Sequence, residues 1–387
     1  MSPRPDYDAL NARNSFTWSC AGSQAALRAL TGVPIREFNL NPDACIEAYR
    51  RGRPLLQERF HGQVSAPGVS TPAVSYGHVN CLGAELIFPE GGEVGHTHPY
   101  SSLQEALRRL REPVDWSRAG MTPFFLDFRE QLQKAFPGER VGLAWGDEGP
   151  VTTAYELRGE GFFMDIYDDP ERTEQYMEAV TDSILSFHRW RCAQEGRPPV
   201  APSGGMVDDL SSLLAPRLWP RFVLPWWEKR FQGITTGTRH AHVENLGEEH
   251  LPFLEEIGLT SFDPSISPRL NPQIIKRACR VPFTWRLGAF HLEEMTVQDV
   301  HDFVYQSCAD GAMGVTMTVE ELMCEDRNVP KVLAFVEAAK RAQQMTAEGA
   351  TRADVGALVS PTGRATLWEG WCGFLSPLST RGGARKQ

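Results

Sequence analysis

The chain has 387 residues, a formal net charge of −10 at pH 7, and 41% hydrophobic against 23% charged residues. That apolar share supports a buried core and excludes a wholly disordered chain. The acidic balance argues against a nucleic-acid partner, which needs clustered Lys and Arg, and no window approaches the ~20 apolar residues of a membrane span.

The N-terminal stretch MSPRPDYDALNARN lacks the apolar core of a secretory signal, and eight cysteines are scattered without a CxxC pair. Both features point to free thiols in a reducing compartment, the cytoplasm. Residues 1–60 read as an irregular and helical lead-in packed on the body of the fold. Residues 81–95, CLGAELIFPEGGEVG, read as a strand and turn with a hairpin. From about residue 140 the pattern becomes strand, turn, helix, repeated. The strands are VGLAW (141–145), GGMV (204–207), TTGTRHAH (235–242), LTSF (259–262), VPFTWRL (281–287) and GVTMTV (314–319).

Between the strands lie helices with local signals. Asp168-Asp169-Pro170 opens one with a cap and a first-turn proline; Met177, Val180 and Ile184 share a face, and Gly196 closes it. Thr296, with Asp299 three residues on, resembles a capping box ahead of Val300, Phe303 and Val304. VPKVLAFVEAAKRAQQM (329–345) reads as a last long helix. Alternating strands and helices imply βαβ units and a parallel sheet, and their count favours a closed (β/α)8 barrel over an open doubly wound sheet. No GxGxxG follows a strand and no P-loop occurs. The barrel is expected over 61–345, followed by a tail over 346–387. The tail's middle, LWEGWCGFL, is apolar enough to dock on the barrel, and its last ten residues are expected to be mobile.

In a barrel, chemistry sits at the C-terminal ends of the strands. RHAHVENL (239–246) closes one strand and holds His240, His242 and Glu244, alternate positions that share a face in extended backbone. Imidazole plus carboxylate at that spacing suits a divalent metal such as zinc; equally, one histidine packs against neighbours and the rest is a solvated loop. Glu320-Glu321, closing GVTMTV, offers a remote ligand or a general base, or an acidic pair at a helix start. Asp208-Asp209 after GGMV could orient or protonate a substrate, or cap the next helix. Asp147 and Glu148, after VGLAW, are the next acids at a strand end. His96-Thr97-His98 reads as a surface loop, Cys324 as a small core residue, and Trp226-Trp227 as packing.

Four ordered blocks resemble the uroporphyrinogen decarboxylase superfamily over roughly residues 25–345. They are EGPVTTAYELRGEGFFMDIYDDPE (148–171), VDDLSSLLAPRLWPRFVLPWWEKRF (207–231), HVENLGEEHLPFLEEIGLTSFDP (242–264) and GAMGVTMTVEELMCEDRNVPKVLAFVEAA (311–339). The resemblance independently implies a (β/α)8 barrel. True uroporphyrinogen decarboxylases use no metal and carry an Arg-rich signature of the form Arg-Gln-Ala-Gly-Arg-Tyr. Nothing here matches it, which removes the counter-charges an acidic tetrapyrrole needs.

The corrinoid-linked methyltransferase branch of that superfamily holds zinc with His-x-Cys and a distant Cys. Matched residue by residue, His242 takes the histidine position, Glu244 the first cysteine and Glu321 the second. Two carboxylates with one histidine make a harder site, so a methoxyl or other oxygen-bearing substrate fits at least as well as a thiol. The resemblance thus implies a metal-dependent methyltransferase or demethylase with metal on His242, Glu244 and Glu321, His240 as an extra ligand, and a corrinoid carrying the methyl group. Asp208 and Asp209 are the expected catalytic and substrate-contacting acids, with Glu148 as a further substrate contact. The expected partners are a small-molecule substrate and a corrinoid protein, with a homodimer as one assembly. The alternatives are a decarboxylase of a small acid and a non-catalytic small-molecule-binding barrel.

Overall fold

The computed structural model describes residues 4–12, 15–265, 267, 269–366 and 368. The strands among them are β1 (Thr17–Gly22), β2 (Leu86–Ile87), β3 (Gly95–His96), β4 (Ala201–Val207), β5 (Thr235–His242), β6 (Ser261–Asp263), β7 (Thr284–Arg286) and β8 (Gly314–Val319). Five helices matter for the site: α1 (Pro150–Arg158), α2 (Pro170–Gln194), α3 (Leu224–Ile234), α4 (Val297–Ala309) and α5 (Val329–Ala347). The chain folds as two compact units. Unit 1 comprises Met1–Leu30, Arg53–Pro67 and His240–Gln387; unit 2 comprises Thr31–Gly52 and Gly68–Arg239.

In unit 1, β8 lies between β1 and β7 and runs parallel to both, with Gly314 facing Thr17 on one side and Thr284 on the other. Val315, Met317 and Val319 are buried on one face of β8, the period-2 pattern of a strand. A side chain at Gly314 would stand 2.4 Å from the Thr17 carbonyl oxygen, so glycine is what lets β1 close on β8. The end of β5 pairs in parallel with β6, placing His240 beside Ser261 and His242 beside Asp263. Phe262 bridges Phe283 in parallel, which brings the residue before β7 alongside β6. Helices α4 and α5 pack on each other, and Phe16, Phe60 and Trp285 are fully buried in this unit. Each buried Phe contributes about 1.5–3 kcal/mol relative to an exposed one.

In unit 2, parallel bridges join Ser70 to Gly142 and Val74 to Trp145. The Thr235 hydroxyl of β5 donates to the Ala201 carbonyl of β4 at 3.0 Å. Trp145, Trp219 and Trp227 lie in this unit's core. The antiparallel pair β2–β3 forms the hairpin expected over 81–95.

β5 and β8 occupy the residues their apolar runs indicate, whereas β6 and β7 are shorter than theirs. VGLAW makes single bridges in place of a continuous strand. The strand β1 falls inside the stretch that reads as irregular lead-in. TWSCAG has no apolar alternation, and its extended form comes from pairing with β8, almost 300 residues away along the chain.

The locally signalled helices form as read. Asp169 accepts from the Arg172 amide at 3.1 Å at the start of α2, and Gly196 beyond its end takes φ 65°. Thr296 and Asp299 make the reciprocal capping box of α4. No helix of the described residues is long and apolar enough to cross a membrane. Seven cysteines are free among the described residues; Cys372 lies outside them. Of the tail, the last ten residues and all of LWEGWCGFL except Trp368 lie outside the described residues. The Trp368 ring stands 6.0 Å from Trp285, and its indole N–H donates to Asp310 at 2.6 Å.

Candidate functional site

At the end of β5, His240 and His242 share one face while the alternate Ala241 is buried on the other. Asp263, which stands next to His242 across the β5–β6 pair, lies 2.9 Å from His242 Nδ1 and 2.8 Å from an Arg286 nitrogen. Burial pulls the Asp263 carboxyl up, but His242 and Arg286 outweigh it and hold it below its usual range. It is therefore a carboxylate, and His242 Nδ1–H must be the donor. That fixes the ring tautomer and turns Nε2 toward Glu244, whose Oε1 is 3.8 Å away.

Glu244 is held anionic by His242 first and then by Ser265, whose hydroxyl donates to Oε1 at 2.7 Å. The Ser265 amide donates to Asp263 at 2.8 Å, so one residue links both carboxylates. It does so in the left-handed region, at φ 50°, as does Asn245 at φ 60°. Non-glycine residues there carry strain on the order of 1 kcal/mol or more, which the surrounding bonds must offset. His240 Nδ1 is bonded to the Ser261 hydroxyl, and burial lowers its pKa.

The donor chemistry of the His242/Glu244 pair fits a divalent cation. The His242 ring presents Nε2 beside a carboxylate, and the opposite ring nitrogen is anchored by a second carboxylate, the support that metal-ligating histidines need. Glu321 stands exposed at the head of the single turn Leu322–Cys324 after β8. Among the described residues, neither Glu321 nor His240 joins His242 and Glu244 in a three-ligand group.

In unit 2 the acids surround the N-terminus of α1. Asp208 is fully buried, and it accepts from the Thr152 amide at 2.7 Å, the Val151 amide at 3.4 Å and the Trp227 indole at 2.6 Å. It thereby satisfies the open N–H groups at the start of α1 and ties them to α3. A side chain at Gly149 would overlap Asp208 at 2.4 Å, so the glycine before α1 is what admits this carboxylate. Burial raises the Asp208 pKa against these donors.

Asp209 begins the turn Asp209–Leu213 and is half-buried. Asp147 points the other way, to Arg191 and Arg230, the latter at 2.5 Å. Burial pulls Asp147 up, but the two arginines outweigh it and bring it to about 2. Burial pushes Glu148 up to about 8, against a bond from Ser75 and with Asp209, Asp147 and Asp208 adding to the rise. Burial likewise pushes Glu156, on α1, well above the ordinary carboxylate range, with Glu148 contributing.

The Asp208 loop, α1 and the His242 strand end lie inside one stretch of sequence with known relatives. The sequence profile of uroporphyrinogen decarboxylase matches residues 72–281, more than half of the chain. The chain belongs to the uroporphyrinogen decarboxylase family. Its fold is similar to the solved structure of a methyltransferase from Methanosarcina mazei. The TM-score is 0.61 and the identity 17%, over 87% of this chain and 97% of that one. No curated protein matches the sequence.

Within this uroporphyrinogen decarboxylase family member, the strand-end rule leads directly to His240, His242, Glu244, Asp208, Asp209 and Glu148. It passes over Asp263, although Asp263 also ends a strand, because β6 is only three residues long and its apolar run reads as complete at Phe262. Ser265 and Arg286 carry no local signal. Glu156 sits mid-helix, where an acid ordinarily reads as a solvated face. Of the weaker candidates, Trp227 is buried against Asp208, and burial raises the Cys324 thiol to about 11, away from thiolate chemistry. His96 and His98 are in ring contact at 5.2 Å, with His96 on β3.

Proposed function

We propose that the chain is a metal-dependent methyltransferase or demethylase built on a closed (β/α)8 barrel. The observation that carries this reading is the His242–Asp263 bond beside Glu244, which prepares Nε2 and a carboxylate oxygen for one cation. His242 and Glu244 are the anchoring ligands, with Glu321 as the further ligand that family likeness implies and His240, on the same strand face, as an extra one. A divalent ion there, zinc in the first instance, supplies positive charge that polarises a substrate's donor atom. The residues supply the rest. Asp263 and Ser265 hold the two ligands in place, and Asp208 fixes the start of α1. Asp209 and Glu148 contact the substrate. A corrinoid, free or on a partner protein, would supply the methyl-carrying chemistry, and the enzyme works in the cytoplasm, where its thiols stay reduced.

The solved methyltransferase of similar fold supports this reading at the level of the scaffold. The test is methyl transfer between cobalamin and a broad panel of methyl donors and acceptors, with wild type beside Glu244→Ala. The reading expects cobalamin methylation or demethylation with at least one compound and its loss in the variant. No exchange with any compound would sink it.

One observation favours a second reading. Burial raises Glu148 to about 8 and Glu156 well above the ordinary carboxylate range, the direction that suits an acid that protonates a carbanion after carbon dioxide leaves. Carbon dioxide release from a small acid that survives His242→Ala would favour that decarboxylase over the methyltransferase.

A further inference from the structure

Alternation along the strands of unit 1 leaves one sheet face that is polar throughout. Across the β7–β8 pairing Trp285 stands beside Val315, and both are buried, with Met317 and Val319 continuing that side. The alternate positions are Thr284 and Arg286 on β7, Thr316 and Thr318 on β8, and Ser19 on β1. Each of these five is half-buried or exposed. The register sets Arg286 beside Thr316 and Thr316 beside Ser19, one row across strands about 4.8 Å apart.

Two atoms of that row lack a partner. A guanidinium carries five N–H donors, and Arg286 makes one bond with them, to Asp263 at 2.8 Å. Its Nε is buried with no hydrogen-bond partner among the described residues, and so is Oγ1 of Thr316. Water satisfies an exposed donor, whereas a buried one is costly to leave unmade; two on paired residues call for a shared acceptor. The face is open to one, because Ser19 and Thr318 are exposed and the Arg286 side chain is 29% exposed. A guanidinium beside a hydroxyl is the chemistry that recognises oxyanions. Arg286 already shares its charge with Asp263, which suits it to a single further negative charge. The class is therefore a carboxylate and not a phosphate dianion.

We propose that Arg286 and Thr316 form a subsite for a carboxylate group of the substrate, with Ser19 at its edge. Arg286 is bonded to Asp263 and Asp263 to His242, so the subsite lies beside the candidate ligand pair. Arg286 donates N–H and Thr316 donates O–H to the carboxylate oxygens, which leaves the other end of a small acid to face His242 and Glu244. That assignment of substrate rests on the metal-dependent reading; the anion site does not.

The test is ligand-observed NMR titration of the full chain with methoxyacetate, on zinc-loaded and on chelator-treated protein. The neutral isostere methoxyacetamide and inorganic phosphate are titrated beside it. Methoxyacetate should bind, and bind about tenfold or more weakly in Thr316→Val and in Arg286→Gln. The amide and phosphate should bind no better than methoxyacetate binds those variants. Valine keeps the branched shape and removes the buried hydroxyl, so Thr316→Val should melt at a higher temperature while binding the acid worse. A purely structural role would move stability alone. Zinc affinity, followed with a chromophoric chelator, should be unchanged in Thr316→Val, since Thr316 makes no bond to Asp263. Absence of methoxyacetate binding, equal binding of the amide, or unchanged affinity in Thr316→Val would each overturn the subsite, and tighter binding of phosphate would overturn the carboxylate class. Thr316-dependent carboxylate binding in a protein that takes up no zinc would keep the subsite and overturn the metal reading behind the substrate assignment.

Discussion

His242 and Asp263 face each other across two paired strands, and that one bond decides which ring nitrogen is offered outward. If Asp263 is the orienting carboxylate, Asp263→Asn should weaken zinc binding by about 10- to 100-fold while leaving the ligands themselves in place. Competition with a chromophoric chelator measures this, and an unchanged affinity would remove Asp263 from the role. Glu148 leads to a second prediction for a single side chain. Its carboxyl rises from an ordinary 4.5 to about 8, chiefly by burial, with Asp209, Asp147 and Asp208 facing it. The folded chain therefore keeps a proton that the unfolded chain releases, a stabilisation complete below pH 4.5 and lost as pH rises through 8. Melting curves should show wild type losing ground to Glu148→Gln between pH of about 5 and about 9. Parallel curves for the two proteins would show that Glu148 titrates normally.

Among the elements, α1 depends most on a distant residue. Its first N–H groups are closed by Asp208, more than 50 residues further along, and the Trp227 indole of α3 completes the same carboxylate. Asp208→Asn replaces one acceptor with a donor, facing either the amides or the indole with a buried mismatch. It should cost about 1–3 kcal/mol in denaturant unfolding. Asp147→Asn should cost more, about 3–5 kcal/mol, because it strands Arg191 and Arg230 without their counter-charge.

The contrast between α1 and α2 shows what a sequence makes legible. The caps of α2 and α4 lie within three residues of what they cap, so Asp169 and Thr296 announce them. The cap of α1 is tertiary, and Asp208-Asp209 reads equally as an active-site pair. Strand β1 is hidden for the same reason: its extended form is imposed by β8 and not by its own residues. The candidate ligands His242 and Glu244 are legible because they fall two residues apart where β5 ends. Asp263, Ser265 and Arg286 are not, since their role exists only once β6 and β7 are laid beside β5.

For the whole molecule, the order of strand, helix and acid blocks is sufficient to place the chain in the uroporphyrinogen decarboxylase family, and the family profile over residues 72–281 agrees. The His242/Glu244 pair, unlike the scaffold, is argued from this chain's own residues at the end of β5. A ligand that binds only the folded state stabilises it. Zinc at about 100 times its dissociation constant should add about 2.7 kcal/mol and raise the melting temperature, and a chelator should reverse the gain. No shift with zinc, manganese or iron would speak against a metal site of useful affinity.

Whether His242 and Glu244 anchor a metal is decided by metal content. The purified protein would be analysed by inductively coupled plasma mass spectrometry, beside Glu244→Ala and Glu321→Ala. We expect near-stoichiometric metal in the wild type and a clear loss in Glu244→Ala; a matching loss in Glu321→Ala would add it as the third ligand. A wild type that stays empty after loading with zinc, manganese and iron, or a Glu244→Ala protein that stays full, would refute the metal site.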